Sequence, residues 1–182
     1  KLKEAGFTIE GKTINGFKKG TSVTVNLQSK KALNTVVGHE ITHVLEGAGL
    51  YTALQSTLKE YATSKGVYES MLETAKANYQ NVYTGLTKEE FDAKIEQEVT
   101  ADLVGDYIFS DMDFVRNLST KNPNVFQKVY NEIKYMLKVA TAGSDAEKQL
   151  LKAKKIFEDV YRDTKTNTSE EVQYHVSETF SE

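Results

Sequence analysis

Residues 33–47 read LNTVVGHEITHVLEG and contain one HExxH motif. The apolar residues of this stretch recur at helical spacing, which predicts an amphipathic helix over residues 29–50. Ser29 is placed to cap the start of that helix, and Gly47 and Gly49 to end it. Two histidines four residues apart leave the same face of a helix, so the stretch predicts a helix that carries half of a zinc site.

The HExxH motif combines metal ligands with a base. His39 and His43 are predicted to bind one Zn²⁺ ion through their imidazole rings. Glu40 lies about 100° further around the helix, where it can contact a water molecule on the ion without being a ligand itself. The alternative is that the motif is accidental and the chain is a purely helical binding domain.

A catalytic zinc site normally has three protein ligands, so the third must come from another part of the chain. Glu46 lies about 10 Å further along the same helix than His39 and cannot close around the same ion. We therefore expect Glu46 to be a surface group or to support one of the ligands.

Residues 87–110 predict a second helix, opened by Thr87 with Glu90 in the capping-box position. Glu98 and Asp102 both fall within its apolar stripe, where an ionised carboxylate is costly unless it is paired or bound to a metal. One of them can bind zinc while the other orients a histidine. The alternative is that both are satisfied by a Lys or Arg from another helix.

With HExxH followed by ExxxD, the chain resembles gluzincin-type zinc metallopeptidases. The resemblance implies that His39, His43 and Glu98 bind zinc and that Asp102 holds His39. It also implies hydrolysis of a peptide bond, in which Glu40 as general base takes a proton from a zinc-activated water and returns it to the leaving amine.

Further expectations follow from the same resemblance. Residues 44–97 separate the two halves of the site, which is a longer separation than in the best-known members. Zincin-like peptidases bind substrate along an exposed edge strand, for which Thr21–Gln28 is the candidate; the alternative is that this strand is central to its sheet. Peptidases of this kind also use a further donor for the developing oxyanion. The candidates, which the sequence does not rank, are Arg116, Tyr107 and His175.

Composition bounds the class of protein. A chain of 182 residues with 39% hydrophobic and 27% charged residues is a globular domain. Its net charge of −3 is spread along the chain, which argues against nucleic acid or an anionic membrane as a partner. A peptide or protein substrate is what the resemblance to metallopeptidases implies. There is no apolar run of membrane-spanning length and no signal-peptide pattern. The absence of Cys excludes disulfides and thiolate zinc ligands.

These patterns predict an α+β, zincin-like fold in which a small N-terminal β-sheet precedes a mostly helical body. We expect one metallopeptidase domain over residues 1–164, followed by a polar tail or linker over 165–182. Its parts are a β region (1–28), the active-site helix (29–50), a helical insert (51–85), the ExxxD helix (87–110) and C-terminal helices (113–164).

The tail and the first residue raise two further expectations. The segment VQYHV at residues 172–176 is a candidate strand that docks in the cleft and places His175 near the metal. Because the chain begins with Lys, we expect it to be part of a longer protein. A compact helical domain followed by a polar tail also resembles the modules of large polyvalent proteins of phages and mobile elements. Oligomeric state and compartment, whether cytoplasmic or delivered with a larger protein, are not indicated.

Two functions therefore remain in competition with accidental occurrence of the motif. The first is a zinc-dependent metalloendopeptidase. The second is a catalytically silent, zinc-stabilised helical interaction module within a larger polypeptide. Glu40 favours the first, because a zinc site kept only for structure has no need of a base.

Overall fold

The structure, a computed structural model, describes the backbone of residues 17–19, 22–24 and 30–179 and the side chains of residues 33–166. Two short strands precede seven helices in this part of the chain. The strands are β1 (Phe17–Lys19) and β2 (Ser22–Thr24). The helices are α1 (Lys30–Gly47), α2 (Tyr51–Ser64), α3 (Tyr68–Tyr79), α4 (Lys88–Ser110), α5 (Met112–Lys121), α6 (Pro123–Val139) and α7 (Asp145–Thr179).

The predicted α+β, zincin-like fold class is wrong, because the described protein is an all-helical fold. Its only described β structure is an antiparallel hairpin in which Phe17 is opposite Thr24 and Lys19 is opposite Ser22. Two strands of three residues are too short to form a layer of a domain. Of the predicted edge strand Thr21–Gln28, only Ser22–Thr24 is assigned as strand, and the rest lies outside the described residues.

Local signals fix the ends of the helices that carry the motifs. Helix α1 ends at Gly47, and Gly49 follows with a φ of 70°, a conformation that glycine adopts without strain. The Leu50 N–H donates to the Leu45 carbonyl at 2.9 Å, which completes a Schellman motif. The prediction that Gly47 and Gly49 end this helix is confirmed. Ser29, its predicted cap, lies outside the described residues.

Helix α4 begins with the predicted capping box. The Thr87 side chain accepts from the Glu90 N–H at 3.2 Å, and the Glu90 carboxylate accepts from the Thr87 N–H at 2.8 Å. Beyond this cap, α4 contacts α1, α2, α3, α5 and α7. Six of its buried apolar residues belong to one hydrophobic core to which all seven helices contribute: Ile95, Val99, Leu103, Val104, Ile108 and Phe109. Helix α4 is therefore the element against which most of the protein packs.

Two glycines bring α1 and α4 together. A Cβ on Gly38 would lie 1.9 Å from the Ala101 carbonyl oxygen, and a Cβ on Gly105 would lie 1.9 Å from the Asn34 carbonyl oxygen. Neither position can carry a side chain without moving a backbone. The glycines therefore allow closer approach of the two helix axes than any other residue would.

Polar contacts on either side of these glycines fix the register of α1 against α4. The Asn34 amide donates to Asp106 at 3.3 Å, and the Thr35 hydroxyl donates to Asp102 at 3.2 Å. Rising residue numbers on α1 thus face falling numbers on α4, so the helices are antiparallel. One turn further along α1, His39 faces Glu98.

The remaining predicted helices are confirmed at α2, α3, α5 and α6, and Pro123 stands in the first turn of α6. The tail differs from its prediction. Residues 165–179 continue α7 as a helix instead of a linker, and the predicted docking strand at 172–176 is helical backbone. Side chains beyond residue 166, including that of His175, lie outside those described. None of the described helices is long and apolar enough to cross a membrane.

Candidate metal centre

A pocket of about 120 Å³ lies where α1, α2 and α4 meet. It contains all three predicted zinc ligands, which come from two helices far apart in sequence. Most of the other side chains around it are polar or charged. Its lining residues are His39, Thr42, His43, Glu46, Tyr51, Lys94, Gln97 and Glu98.

His39 and Glu98 are in direct contact across the helix crossing. Nε2 of His39 lies 3.2 Å from Oε2 of Glu98. The pKa of His39 is raised, because its ring is hydrogen-bonded to the Glu98 carboxylate, and this effect outweighs burial of the ring. Burial of Glu98 by itself would raise its pKa, but hydrogen bonds from His39 and Tyr83 outweigh burial and bring the pKa below its usual value. Each of the two groups thus favours the charged form of the other.

His43 lies on the same side of α1 but faces outward. Its Nδ1 is 3.2 Å from Oε2 of Glu46, and both side chains are about half exposed. This contact occupies Nδ1 and leaves Nε2 as the ring nitrogen for a metal. Glu46 is thus a surface group that supports a predicted ligand, which is one of the two roles expected of it.

The three predicted ligands share the pocket without converging on one point. Among the side chains of residues 33–166, no three His, Asp or Glu residues meet closely enough to hold a metal ion. His39 and Glu98 already meet, so His43 is the ligand whose ring would have to turn inward. A histidine ring at an exposed position changes rotamer on the picosecond to nanosecond timescale.

Glu40, the predicted general base, is buried. It is only 3% exposed, and the described lining of the pocket does not include it. Its charge nevertheless contributes to the raised pKa of His39, which indicates that the two side chains are close in space. A buried carboxylate is costly to hold, so neither solubility nor helix propensity explains a glutamate at this position.

Asp102, predicted to hold His39, is placed one turn away from that ring by the antiparallel register. The hydrogen bond recorded for its carboxylate comes from the Thr35 hydroxyl at 3.2 Å. Burial raises the pKa of Asp102, against a lowering by that hydrogen bond and by the charge of His39. Its influence on His39 is therefore electrostatic.

Two of the predicted oxyanion donors, Arg116 and Tyr107, lie away from the pocket. Arg116 is on α5, where it forms ion pairs with Asp113 at 3.2 Å and Asp163 at 3.3 Å. The Tyr107 ring packs edge-on against Tyr61 with centroids 5.3 Å apart, away from the pocket lining. His175 cannot be placed, because its side chain lies outside those described.

Sequence reasoning missed two tyrosines at the site. Tyr51 opens α2 and lines the pocket. Tyr83, between α3 and α4, donates a hydrogen bond from its hydroxyl to Oε1 of Glu98. No local sequence pattern distinguishes a tyrosine that donates to a carboxylate from one that only packs. A buried Glu does require a hydrogen-bond donor, and the insert was the segment most able to provide it.

Comparison with known proteins finds no matching family model, no matching curated protein and no matching solved structure.

Proposed function

We propose that this protein binds one zinc ion through His39, His43 and Glu98 and hydrolyses peptide bonds. The observation that carries the proposal is the contact between His39 and Glu98 in a pocket that His43 also lines. His39 and Glu98, which are separated in sequence by the whole insert, are in contact there. The HExxH and ExxxD motifs of one zinc site require such a contact. An accidental HExxH gives no reason for such a contact.

The donor set fits zinc. Two imidazoles and one carboxylate are a ligand set of catalytic zinc sites, with metal–ligand distances of about 2.0 to 2.2 Å. Two ligands of a tetrahedral ion at those distances are about 3.3 Å apart, and the His39 and Glu98 donor atoms are 3.2 Å apart. The spacing of these two donor atoms therefore matches that of two ligands on one ion. A simple ion pair accounts for the same distance, so the metal has to be tested directly.

The proposed chemistry divides between the ion and the protein. A zinc ion supplies a polarised carbonyl and a water of lowered pKa when it is bound. Glu40 takes the proton of the attacking water and returns it to the leaving amine. Glu46 contacts Nδ1 of His43 at 3.2 Å, a contact that the ring must leave if it turns toward the ion. Asp102 acts on His39 through its charge.

A donor for the developing oxyanion is required in addition. Tyr51 is the best placed, because its side chain lines the pocket beside His43 and Glu46. Burial raises the pKa of the Tyr51 hydroxyl, which keeps it protonated and able to donate. It is proposed in place of Arg116 and Tyr107, which lie away from the pocket.

The burial of Glu40 favours a second candidate function. If the carboxylate cannot reach the pocket, the same three ligands form a zinc site that stabilises the packing of α1 against α4. The protein is then a catalytically silent, zinc-stabilised interaction module. The two functions make the same prediction for zinc binding and opposite predictions for peptide cleavage.

Zinc binding is tested by competition with a chromophoric chelator. Glu98→Gln keeps the size of the side chain and removes the charge, and we expect it to abolish tight zinc binding. Glu96→Gln is the matched control, since Glu96 is two residues away on α4 and pairs with Lys59 at 3.4 Å outside the pocket lining. It should bind zinc as the wild type does. Equal binding by both variants would show that Glu98 is not a ligand.

Catalysis is tested with Glu40→Gln and a library of fluorogenic peptides. The peptidase proposal expects the zinc-loaded wild type to cleave at least one peptide. It expects Glu40→Gln to bind zinc normally and to lose cleavage. Zinc binding without cleavage by the wild type supports the interaction module instead, and cleavage that persists in Glu40→Gln excludes Glu40 as the base.

A further inference from the structure

The two oxygens of Glu98 have different partners. Oε2 faces Nε2 of His39 at 3.2 Å, and Oε1 accepts the hydrogen bond from the Tyr83 hydroxyl. Glu98 is buried, with only 9% of the residue exposed. A carboxylate held on one oxygen by a hydroxyl has a fixed rotation about its terminal bond and presents only the other oxygen to a neighbour.

Tyr83 is itself held in place. Its ring stacks on that of Tyr79, with centroids 5.3 Å apart and an interplanar angle of 17°. Its N–H donates to the Tyr79 carbonyl at 3.0 Å, which ties it to the end of α3. On the other side, Nζ of Lys94 lies 5.8 Å from the ring centroid. The Tyr83 hydroxyl is thus held against Glu98 by a segment that contacts both α3 and α4.

We propose that Tyr83 is a positioning residue that makes Glu98 a one-oxygen ligand, with Oε2 directed at the metal. This inference rests on the proposed zinc site. It also assigns a function to the insert, because residues 51–85 then contribute Tyr83 to the zinc site. The alternative is that Tyr83 serves only to satisfy a buried carboxylate, in which case its hydroxyl matters for stability and not specifically for zinc.

The test compares Tyr83→Phe with Tyr130→Phe by chelator competition and thermal unfolding. Tyr83→Phe keeps the ring and its stack on Tyr79, so the fold is expected to survive. Tyr130→Phe is the matched control, because it removes a hydroxyl that donates to Glu158 at 2.9 Å on the surface formed by α6 and α7. Loss of a group that orients a metal ligand weakens binding by about 10- to 100-fold. We expect that loss for Tyr83→Phe and none for Tyr130→Phe.

The unfolding temperature without added metal separates the two roles of Tyr83. A positioning role predicts a fall in zinc affinity larger than any loss of stability can explain. Unchanged zinc affinity of Tyr83→Phe, with normal binding by the wild type, overturns the inference and leaves the proposed function standing. An equal loss in Tyr130→Phe also overturns the inference. If the wild type does not bind zinc, the inference and the proposed function both fall.

Discussion

Replacement of Gly38 by alanine tests whether the close approach of α1 to α4 builds the site. The added Cβ would lie 1.9 Å from the Ala101 carbonyl oxygen, about 1.5 Å short of ordinary contact at 3.4 Å. Because the obstacle is backbone, no side-chain rotation relieves it. The helices must separate by roughly this amount, which is about half of the 3.2 Å between His39 and Glu98.

The net effect on stability is the difference between two terms. Alanine is favoured over glycine within a helix by about 1 kcal/mol, and overpacking of this kind costs about 3 kcal/mol at the upper end of its usual range. We therefore expect Gly38→Ala to lower the free energy of unfolding by about 2 kcal/mol, which is about 4 to 8 °C in unfolding temperature for a chain of this size. Zinc affinity should fall as well, since Glu98 moves away from His39.

Gly47→Ala is the matched control, because Gly47 is on the same helix and a Cβ there meets nothing within 4 Å. It should leave zinc affinity unchanged and raise the unfolding temperature slightly. Gly105→Ala acts at the same crossing through the Asn34 carbonyl. The double variant Gly38→Ala with Gly105→Ala should therefore lose less stability than the two single losses added together. Wild-type stability and zinc binding in Gly38→Ala would refute the reasoning.

Three further predictions concern the cap, the oxyanion donor and the metal. Thr87→Ala removes the capping box of α4 and should lower the free energy of unfolding by about 1 kcal/mol. Thr74→Ala, on the exposed face of α3, is the control and should have little effect. Equal unfolding temperatures of the two variants would contradict this prediction. Tyr51→Phe should reduce kcat for peptide cleavage about 100-fold without changing zinc affinity, with Tyr161→Phe on α7 as the control, and an unchanged kcat excludes Tyr51 as the donor. Zinc at about 100 times its dissociation constant should stabilise the fold by about 2.7 kcal/mol. Calorimetric unfolding with and without a chelator measures this difference. Identical unfolding curves would mean that folding does not involve the metal.

The sequence predicted the helices well because their signals are local. The capping box at Thr87 and the glycine stop after α1 each depend on neighbours within a few residues. Chemistry indicated that a carboxylate of α4 meets the histidines, since a two-histidine motif requires a third ligand and a carboxylate in an apolar stripe requires a partner. The choice of Glu98 over Asp102 came from the resemblance to gluzincins.

The fold class was predicted wrongly because a local strand pattern was taken as evidence for a whole sheet. Alternation in residues 21–28 predicts strand, yet the number and length of strands decide whether a sheet exists, and period-two alternation reports neither. The tail failed for a similar reason. Its polar composition indicated a linker, whereas the structure continues α7 through residue 179.

The glycines of the helix crossing carried a signal that was not used. Gly38 and Gly105 each stand inside a helix, where glycine is unfavourable by about 1 kcal/mol relative to alanine. Two such residues on the two motif helices indicate a close backbone approach. That reasoning predicts where α1 and α4 meet. The antiparallel register, which places Asp102 opposite Thr35 instead of His39, follows only from the structure. Tyr83 had no comparable signal, because its contact with Glu98 depends on the path of the segment between α3 and α4.

The most direct test of the account is the anomalous scattering of a crystal grown with excess zinc and measured at the zinc absorption edge. The account predicts one strong peak about 2.0 to 2.2 Å from a ring nitrogen of His39, a ring nitrogen of His43 and Oε2 of Glu98. No peak between α1 and α4, or a peak held by other side chains while His39 and Glu98 keep their direct contact, would contradict it.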